Sequence, residues 1–326
     1  MRFLLDAEQR DFATSLNAML AAADTPSVVR DWSRGHHTSG RALWRRIADA
    51  GVFALAVPET YEGLGPRPVE LALAFVELGR HAVPGPLVET VTASTLLASL
   101  DDTGPAKRLL PSLATGESTA TLATGSYTLD ADMADVRLAV SACPTPTELR
   151  LAPPPGHPPS PSLDPARRLF KTPLGGELLA TDPPLAPALL IARLTTAAQA
   201  LGTGLALLDR TVVHVKQRTQ FGAPIGSFQA VKHQLADAAI ALEFARPLIL
   251  GAALTMTEED VAAAKVTACE AAYRTARTAL QLHGAIGYTA EYDLSLWLTR
   301  ARALRTAWGS PDECRDTVLS GGDRRW

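Results

Sequence analysis

The sequence predicts a mainly α-helical protein with a small β-domain in its middle. Apolar residues recur at spacings of three to five over 1–117 and again near the C-terminus, as in helices that bury one face. Between these parts the pattern changes to short runs typical of strands, and nine prolines fall between Pro144 and Pro165. Proline removes a backbone donor, so that stretch permits only short or edge strands. We therefore predict three domains, at 1–117, 118–185 and 186–326.

The C-terminal domain contains three long amphipathic patterns. The first is a stripe over 190–215, the second begins near Phe228, and the third spans about 258–284. A shorter pattern follows at 293–307, so we predict a bundle of about four helices. The two glycines of LGTG at 201–204 would each cost the first helix about 1 kcal/mol, and close helix packing is enough to explain them.

The composition is that of a folded protein with neither a nucleic-acid nor a membrane partner. A chain of 326 residues with 47% hydrophobic residues and a net charge of −3 can bury cores in two or three domains. Its basic and acidic residues are interspersed, which excludes the basic patch that binds nucleic acid or an anionic membrane. MRFLLDAEQRDF becomes charged after five residues, and apolar runs elsewhere are short. We therefore expect neither a signal peptide nor a membrane span.

The three cysteines, Cys143, Cys269 and Cys314, are scattered and form no CxxC pair. An odd, sparse set suits a reducing compartment, so we expect a cytoplasmic protein with buried, reduced thiols. We predict no metal site.

The first motif that could bind a ligand is RTQFGAPIGSFQ at 218–229, where the first long helix ends. Arg218 can offer a permanent, forked cation to a pyrophosphate, and Phe221 with Gly222 allows a tight turn beside an aromatic ring. Gln229 opens the next helix and offers both a donor and an acceptor to a nucleotide. In the alternative interpretation, Arg218 satisfies only the helix dipole and Phe221 is a core anchor.

The second motif is QLHGAIGYTAEY at 281–292, where the third long helix ends. Gly284 and Gly287 allow the backbone to approach a phosphate or ribose closely, and Gln281 supplies an amide. We interpret His283 as a packing or capping group rather than an acid.

Together the two motifs resemble the acyl-CoA dehydrogenase family, whose C-terminal helical domain carries Arg-x-x-Phe-Gly, Phe-Gln and Gln-x-x-Gly-Gly-x-Gly-Tyr. Ala285 replaces the second glycine of the last pattern, and VPETYEGLG at 57–65 is similar to a turn of the family's N-terminal domain. The resemblance implies an N-terminal helical domain, a reduced middle β-domain and a C-terminal four-helix bundle. It also implies an FAD cofactor shared across a subunit interface. The residues expected to contact the flavin of a neighbouring subunit are Arg218, Phe221, Gly222, Gln229, Gln281, Gly284 and Gly287.

Other signatures of the family are missing. Residues 118–185 contain neither its Thr-Glu-Pro-Gly-Ala-Gly-Ser-Asp loop nor its Trp-x-x-Asn-Gly strand, and GSYTLDAD at 125–132 is at most a remnant. Dehydrogenation needs a carboxylate to accept the α-proton while hydride leaves for the flavin. The family's glutamate falls on Trp308 and the alternative base position on Ala192, so we predict no catalytic residue. By the same resemblance, Arg193 is a candidate on the substrate side.

The favoured hypothesis is a short subunit resembling those of heteromeric bacterial acyl-CoA dehydrogenases of steroid and cholesterol side-chain catabolism, a branch of lipid metabolism. It would complete the FAD site of a full-length homologue in an α2β2 heterotetramer, and that partner would supply the base. The resemblance further implies α,β-dehydrogenation of an acyl-CoA and an electron-transfer flavoprotein as acceptor. Two alternatives stay open. One is a self-sufficient homo-oligomer whose displaced base is Asp312 or Glu313, and the other is a non-redox structural or CoA-ester-binding protein.

Overall fold

The computed structural model describes residues 4–141 and 146–321. Helices occupy the chain up to residue 114, strands lie between 120 and 181, and helices return from 185 to 320, in the predicted order. The described chain divides into two compact units. The C-terminal unit draws on Met1–Pro26, Ala72–Val83 and Arg193–Trp326, and the β-containing unit on Ser27–Leu71 and Pro84–Ala192. The division into three domains at 1–117, 118–185 and 186–326 stays a prediction.

Within the described residues, the α-helices are α1 Ala7–Ala21, α2 Thr25–Ser33, α3 Thr38–Asp49, α4 Pro68–Arg80, α5 Leu87–Ala98, α6 Thr103–Ala114, α7 Leu185–Gln217, α8 Gln229–Thr255, α9 Glu258–His283, α10 Leu294–Thr306 and α11 Pro311–Ser320. The predicted C-terminal helices correspond to α7, α8, α9 and α10. The sequence analysis missed α11, which begins at a proline after the cap residue Ser310.

The strands are β1 Ala120–Ala123, β2 Tyr127–Leu129, β3 Val136–Ser141, β4 Glu148–Leu151, β5 Leu169–Lys171, β6 Glu177–Thr181, β7 Thr219–Gln220 and β8 Ala223–Pro224. A four-stranded sheet has the order β1-β3-β4-β6, in which β1 pairs parallel with β3 and the other pairs are antiparallel. β2 pairs with β5, and β7 with β8. The strands are short, in line with the proline-rich sequence around them.

Helices α4 and α7 approach each other closely at two glycines. A Cβ on Gly202 of α7 would lie 1.8 Å from the Val76 carbonyl oxygen, and a Cβ on Gly79 of α4 would lie 2.0 Å from the Gln199 carbonyl oxygen. The Thr203 hydroxyl donates to the Gly79 carbonyl at 3.3 Å, which adds a hydrogen bond between the same helices. Only glycine permits this backbone contact, so close helix packing does explain the LGTG segment.

The β-containing unit uses the GSYTLDAD segment for packing. Trp32 Nε1 donates to Asp130 Oδ1 at 3.0 Å, and Asp130 is fully buried with a φ of 49°. Burial raises the pKa of Asp130 to about 8. Asp132 accepts a hydrogen bond from Arg168 at 2.7 Å and lies 3.2 Å from His37. The acidic side chains of this segment are therefore committed to contacts within the unit.

Among the residues that the structure describes, two helices, α7 and α8, are long and apolar enough to cross a membrane by length and composition alone. The most apolar window of α7 is 67% buried, which is typical of a core helix, whereas that of α8 is only 33% buried. Both helices were predicted from the sequence as long helices, but their apolar windows were not noted there. The outward-facing apolar residues of α8 therefore need a partner or a lipid to cover them.

Cys269 and Cys314 are buried free thiols. Burial raises the pKa of Cys269 to about 11, which keeps that thiol protonated and unreactive. Cys143 lies outside the described residues.

The glycine contact predicts that Gly202→Ala destabilises the protein although alanine favours helix. The added methyl group would enter the space of the Val76 carbonyl, and overpacking of this kind costs about 1–3 kcal/mol. Urea unfolding of the variant should show a lower midpoint. Gly156→Ala is the control, because a Cβ at Gly156 meets no atom within 4 Å. Equal or higher stability of the Gly202→Ala variant would contradict the close approach.

Candidate functional site

The first motif folds as a tight hairpin at the end of α7. β7 and β8 are joined by Phe221 and Gly222, whose φ angles of 52° and 78° suit a two-residue hairpin turn with both central residues at positive φ. Gly222 adopts this conformation freely, whereas a bulky residue such as Phe221 does so at a cost. The Phe221 side chain is nevertheless 93% exposed. Its ring makes a T-shaped contact with Phe228, the cap residue of α8, at 6.3 Å between centroids.

Arg218 and Gln229 lie on either side of this hairpin. The Arg218 amide still donates to the His214 carbonyl at 2.9 Å, so the backbone of Arg218 continues the last turn of α7. The Arg218 carbonyl accepts from Ile225 at 2.8 Å, which closes the hairpin. Gln229 opens α8, and the side chains of both residues are exposed. Because Arg218 is exposed and Phe221 is not in a core, the hairpin does not match the alternative interpretation of a buried anchor.

The second motif folds as the end of α9 and a following 3-10 turn. α9 ends at Gly284, whose φ of 64° lies in the region that glycine favours. A Cβ at Gly284 would meet nothing within 4 Å, so the backbone faces open space. Gly287 is buried, because a Cβ there would lie 3.1 Å from the His283 Cβ. Gly284 can therefore approach a ligand, whereas Gly287 serves the packing of the turn.

Gln281 lines a groove of about 690 Å³ between α8 and α9. Arg274, Arg277 and Gln281 follow one another along α9 at helical spacing, and Tyr288 lies at the groove as well. One carboxylate, Asp237 of α8, faces them. Two guanidinium groups, an amide and an aromatic ring are side chains that bind phosphates and nucleotide rings.

The two motifs are joined by a stack of two imidazole rings. His214, one turn before Arg218, lies 4.0 Å from His283 between ring centroids, with 21° between the planes. His283 Nδ1 donates to the Ala279 carbonyl at 2.8 Å, which leaves its buried Nε2 without a hydrogen-bond partner. Burial lowers the pKa of both histidines. The charges of His283 and Arg218 lower the pKa of His214 further. The stack is therefore built from neutral rings.

Trp308 occupies the predicted base position in a constrained turn. Its φ is 58°, and Arg193 Nε donates to its carbonyl at 3.3 Å. The buried Lys265 ammonium donates to the next carbonyl, that of Gly309, at 2.6 Å. Two cations thus hold consecutive carbonyls of this turn. Arg193 was expected on the substrate side, and the structure brings it to the backbone of Trp308.

Asp312 and Glu313 lie in the first turn of α11. The Asp312 side chain is 90% exposed and pairs with Arg315 at 2.8 Å. Glu313 accepts from the Ser310 backbone at 2.6 Å in a capping box, and these hydrogen bonds lower its pKa. Ala192 is fully buried on α7. Neither carboxylate therefore resembles a base with a raised pKa in a dry pocket.

Comparison with known proteins decides the family. Residues 6–117 match the model of the acyl-CoA dehydrogenase N-terminal domain, and residues 186–321 match that of the C-terminal domain. This chain belongs to the acyl-CoA dehydrogenase family. It is similar to the acyl-CoA dehydrogenase IpdE2 of Mycobacterium tuberculosis, with 33% identity over 310 residues that cover 94% of this chain and 95% of the relative. Membership of this family supports an oxidoreductase that acts on CH–CH groups.

Solved structures of the family share the fold. The ChsE4-ChsE5 complex from Mycobacterium tuberculosis has a chain with a TM-score of 0.84 and 22% identity, and both chains are covered in full. A variant of the Tcur3481-Tcur3483 steroid ACAD gives a TM-score of 0.83 at 23% identity, over 97% of this chain and 99% of that one. A glutaryl-CoA dehydrogenase from Mycobacterium smegmatis in complex with FADH2 gives 0.82 at 18% identity, over 99% of this chain and 97% of that one.

Sequence reasoning found both motifs but missed the side chains that join and surround them. The stack of His214 could have been suspected from its position one turn before Arg218. Arg274 and Arg277 are spaced with Gln281 along one helix face, which is a weak signal in the sequence. Lys265 gives no such signal, because a buried lysine is recognised only from its tertiary partners.

The neutral stack predicts a pH effect on stability. Because the pKa values of His214 and His283 are lowered in the folded protein, the unfolded chain takes up protons more readily, and the stack loses stability as pH falls below about 6.5. His214→Phe keeps an aromatic ring that does not ionise. The unfolding free energy should therefore fall less between pH 7.5 and 5.5 in this variant than in the wild type. His233→Phe, at an exposed position of α8, serves as control, and equal pH slopes for wild type and His214→Phe would refute the effect.

Proposed function

We propose that this chain is a subunit of an FAD-dependent acyl-CoA dehydrogenase. It completes the FAD site of a partner subunit, and that partner supplies the catalytic base and the acyl-CoA pocket. The observation that carries the proposal is the outward position of the retained motif, in which Phe221 is held at positive φ and 93% exposed. A strained, exposed aromatic side chain gains from burial against a ligand or another subunit.

The exposed groups of both motifs fit the nucleotide half of FAD. Arg218 would pair with the pyrophosphate, since it makes no ion pair in the described part of the chain. Gln229 and Gln281 would donate to and accept from the nucleotide, and Gly284 leaves room for close approach. Phe221 would cover an apolar face of the cofactor. When bound, FAD supplies the acceptor for the substrate hydride.

The proposed role of this chain is to bind and orient rather than to move a proton. The position of the family's glutamate carries the indole of Trp308, and an indole cannot accept the α-proton of a thioester. Asp312 is exposed and paired, and Glu313 caps α11. These contacts favour a base from the partner over the self-sufficient homo-oligomer.

An apolar stripe on α8 supports a partner subunit. Ile240, Phe244 and Leu248 follow at intervals of four residues and are 55%, 69% and 43% exposed. Side chains at this spacing lie on one face of a helix, and an exposed apolar face of this kind marks a protein interface. The stripe lies on the helix that Gln229 opens, so a subunit that covers it would also reach the motif.

The nature of the partner and substrate rests on the relatives. The names ChsE4-ChsE5 and Tcur3481-Tcur3483 each join two chains, and the second is described as a steroid ACAD. We propose by analogy a full-length homologue as partner in an α2β2 heterotetramer, a steroid side-chain CoA ester as substrate and an electron-transfer flavoprotein as acceptor, in the cytoplasm.

The proposal is tested by measuring FAD affinity of the complex formed with a full-length homologue encoded nearby. Arg218→Gln in this chain should weaken FAD binding about 10-fold or more, since a charge-assisted hydrogen bond contributes about 1.5–3 kcal/mol. Phe221→Ala should weaken FAD binding as well, because it removes the ring that would cover an apolar face of the cofactor. Arg302→Gln and Leu174→Ala are matched controls, because both residues are exposed and neither belongs to a motif. A complex that binds FAD equally well with Arg218→Gln and Phe221→Ala would refute the proposal. So would an active, flavin-containing oligomer of this chain alone.

A further inference from the structure

A second polar cavity lies in the C-terminal unit and is lined by none of the residues expected to contact FAD. It has a volume of about 400 Å³ and lies along the last three turns of α7. Its polar lining consists of Arg80, His81, Asp209, Arg210, His214, Gln217 and Tyr292, so one carboxylate lies among the donors. A volume of this order accommodates a small anion or a phosphate with part of the molecule that carries it.

Arg210 is the central group of this cavity. Its guanidinium carbon lies 3.8 Å from the centroid of the Trp297 ring, so it is stacked on an aromatic face. Trp297 is itself buried and fixed, because its Nε1 donates to the Arg80 carbonyl at 2.9 Å. Stacking uses the face of the guanidinium and leaves its N–H groups, which lie in the plane, available as donors. The cation is therefore preorganised by a rigid support.

Arg210 has no close counter-ion. It forms no ion pair in the part of the chain that the structure describes. Burial lowers its pKa, and the charges of Asp293 and Tyr292 act against that shift. Arg80 differs, since Asp209 lies 2.9 Å and Glu77 3.4 Å from it. The positive charge that is left over in the cavity thus belongs to Arg210.

Two histidines of the cavity lining, His81 and His214, lie near positively charged side chains. Burial lowers the pKa of His81 to about 4, and the charges of Arg80 and Arg210 lower it further. Burial, His283 and then Arg218 lower the pKa of His214. Both rings are neutral at pH 7 and carry one N–H each. That of His81 donates from Nε2 to Asn17 Oδ1 at 2.7 Å, whereas that of His214 can donate to an anion without adding charge.

The donors converge from one helix face and a facing loop. Arg210, His214 and Gln217 are spaced by four and three residues, which places them in one row on α7. Tyr292 faces this row from the segment before α10. A forked cation with neutral N–H and O–H donors around it is the set of groups that binds a phosphate oxyanion.

We propose that this cavity is a binding site for a phosphate-bearing anion, with Arg210 as its central cation. Inorganic phosphate and the phosphate of a nucleotide present the same oxyanion to Arg210, His214 and Gln217. The site is distinct from the FAD contacts proposed for Arg218 and Gln281, because none of the residues expected to contact FAD lines the cavity; Tyr292, the last residue of the second motif, lines its edge.

The test is isothermal titration calorimetry on the full chain, alone or in complex with its partner, using inorganic phosphate and AMP as probes. We expect saturable binding of one phosphate per chain, weakened about 10-fold or more by Arg210→Gln and by a smaller factor in Gln217→Ala. Arg210→Lys keeps the charge but loses the fork, and should bind with intermediate affinity. Arg302→Gln is the control and should bind like the wild type.

Two results would overturn the proposal. The first is the absence of saturable phosphate and AMP binding to the wild type up to about 10 mM, the weakest range of a specific site. The second is equal affinity of wild type and Arg210→Gln for both probes. If Arg210→Gln does not fold, the phosphate affinities of Gln217→Ala and Arg210→Lys decide instead, since neither variant removes the positive charge. Both should bind more weakly than the wild type, and equal affinities would overturn the proposal. Tighter binding of AMP than of phosphate would support the site with a nucleotide as its ligand, and equal binding would support it with free phosphate.

Discussion

The contact on which the candidate site depends is the stack of His214 on His283. It joins the end of α7, which carries Arg218 and the hairpin, to the end of α9, which carries Gln281 and Gly284. These helix ends are far apart in sequence. Their helices also share a core cluster that includes Leu207 and Ala276, and the stack extends this packing to the ends that carry the motifs. Because both rings are neutral and one of them has a buried nitrogen without a partner, adding a proton to either ring weakens the contact.

The sequence was enough to predict the elements whose signal is local. The periodicities of α7 to α10 and the hairpin residues Phe221 and Gly222 are encoded in neighbouring residues. The helix α11 was missed because its capping residues, Ser310 and Glu313, look like a polar turn when no long apolar stripe follows them. The strand β2 is only three residues long and is defined by pairing with β5, which no local pattern reveals.

The site itself could be predicted only in outline. Arg218 and Gln281 were identified because the family motifs contain them, whereas the role of His214 depends on a ring from another helix. Trp308 was recognised as unable to serve as a base, but no local pattern indicates that Arg193 and Lys265 donate to the carbonyls of its turn. The proposed picture is a chain that keeps the nucleotide-binding half of a flavin site and carries Trp308 at the position of the family's glutamate. The cavity of Arg210 lies outside that half-site and was invisible to motif reasoning.

The central claim is that the flavin belongs to a site this chain shares with a partner. The most direct measurement is the ratio of FAD to polypeptide, by absorbance after denaturation, for this chain purified alone and for its complex with the full-length homologue. The account predicts no FAD on the chain alone and fewer flavins than chains in the complex. One FAD per chain in the protein purified alone would contradict it.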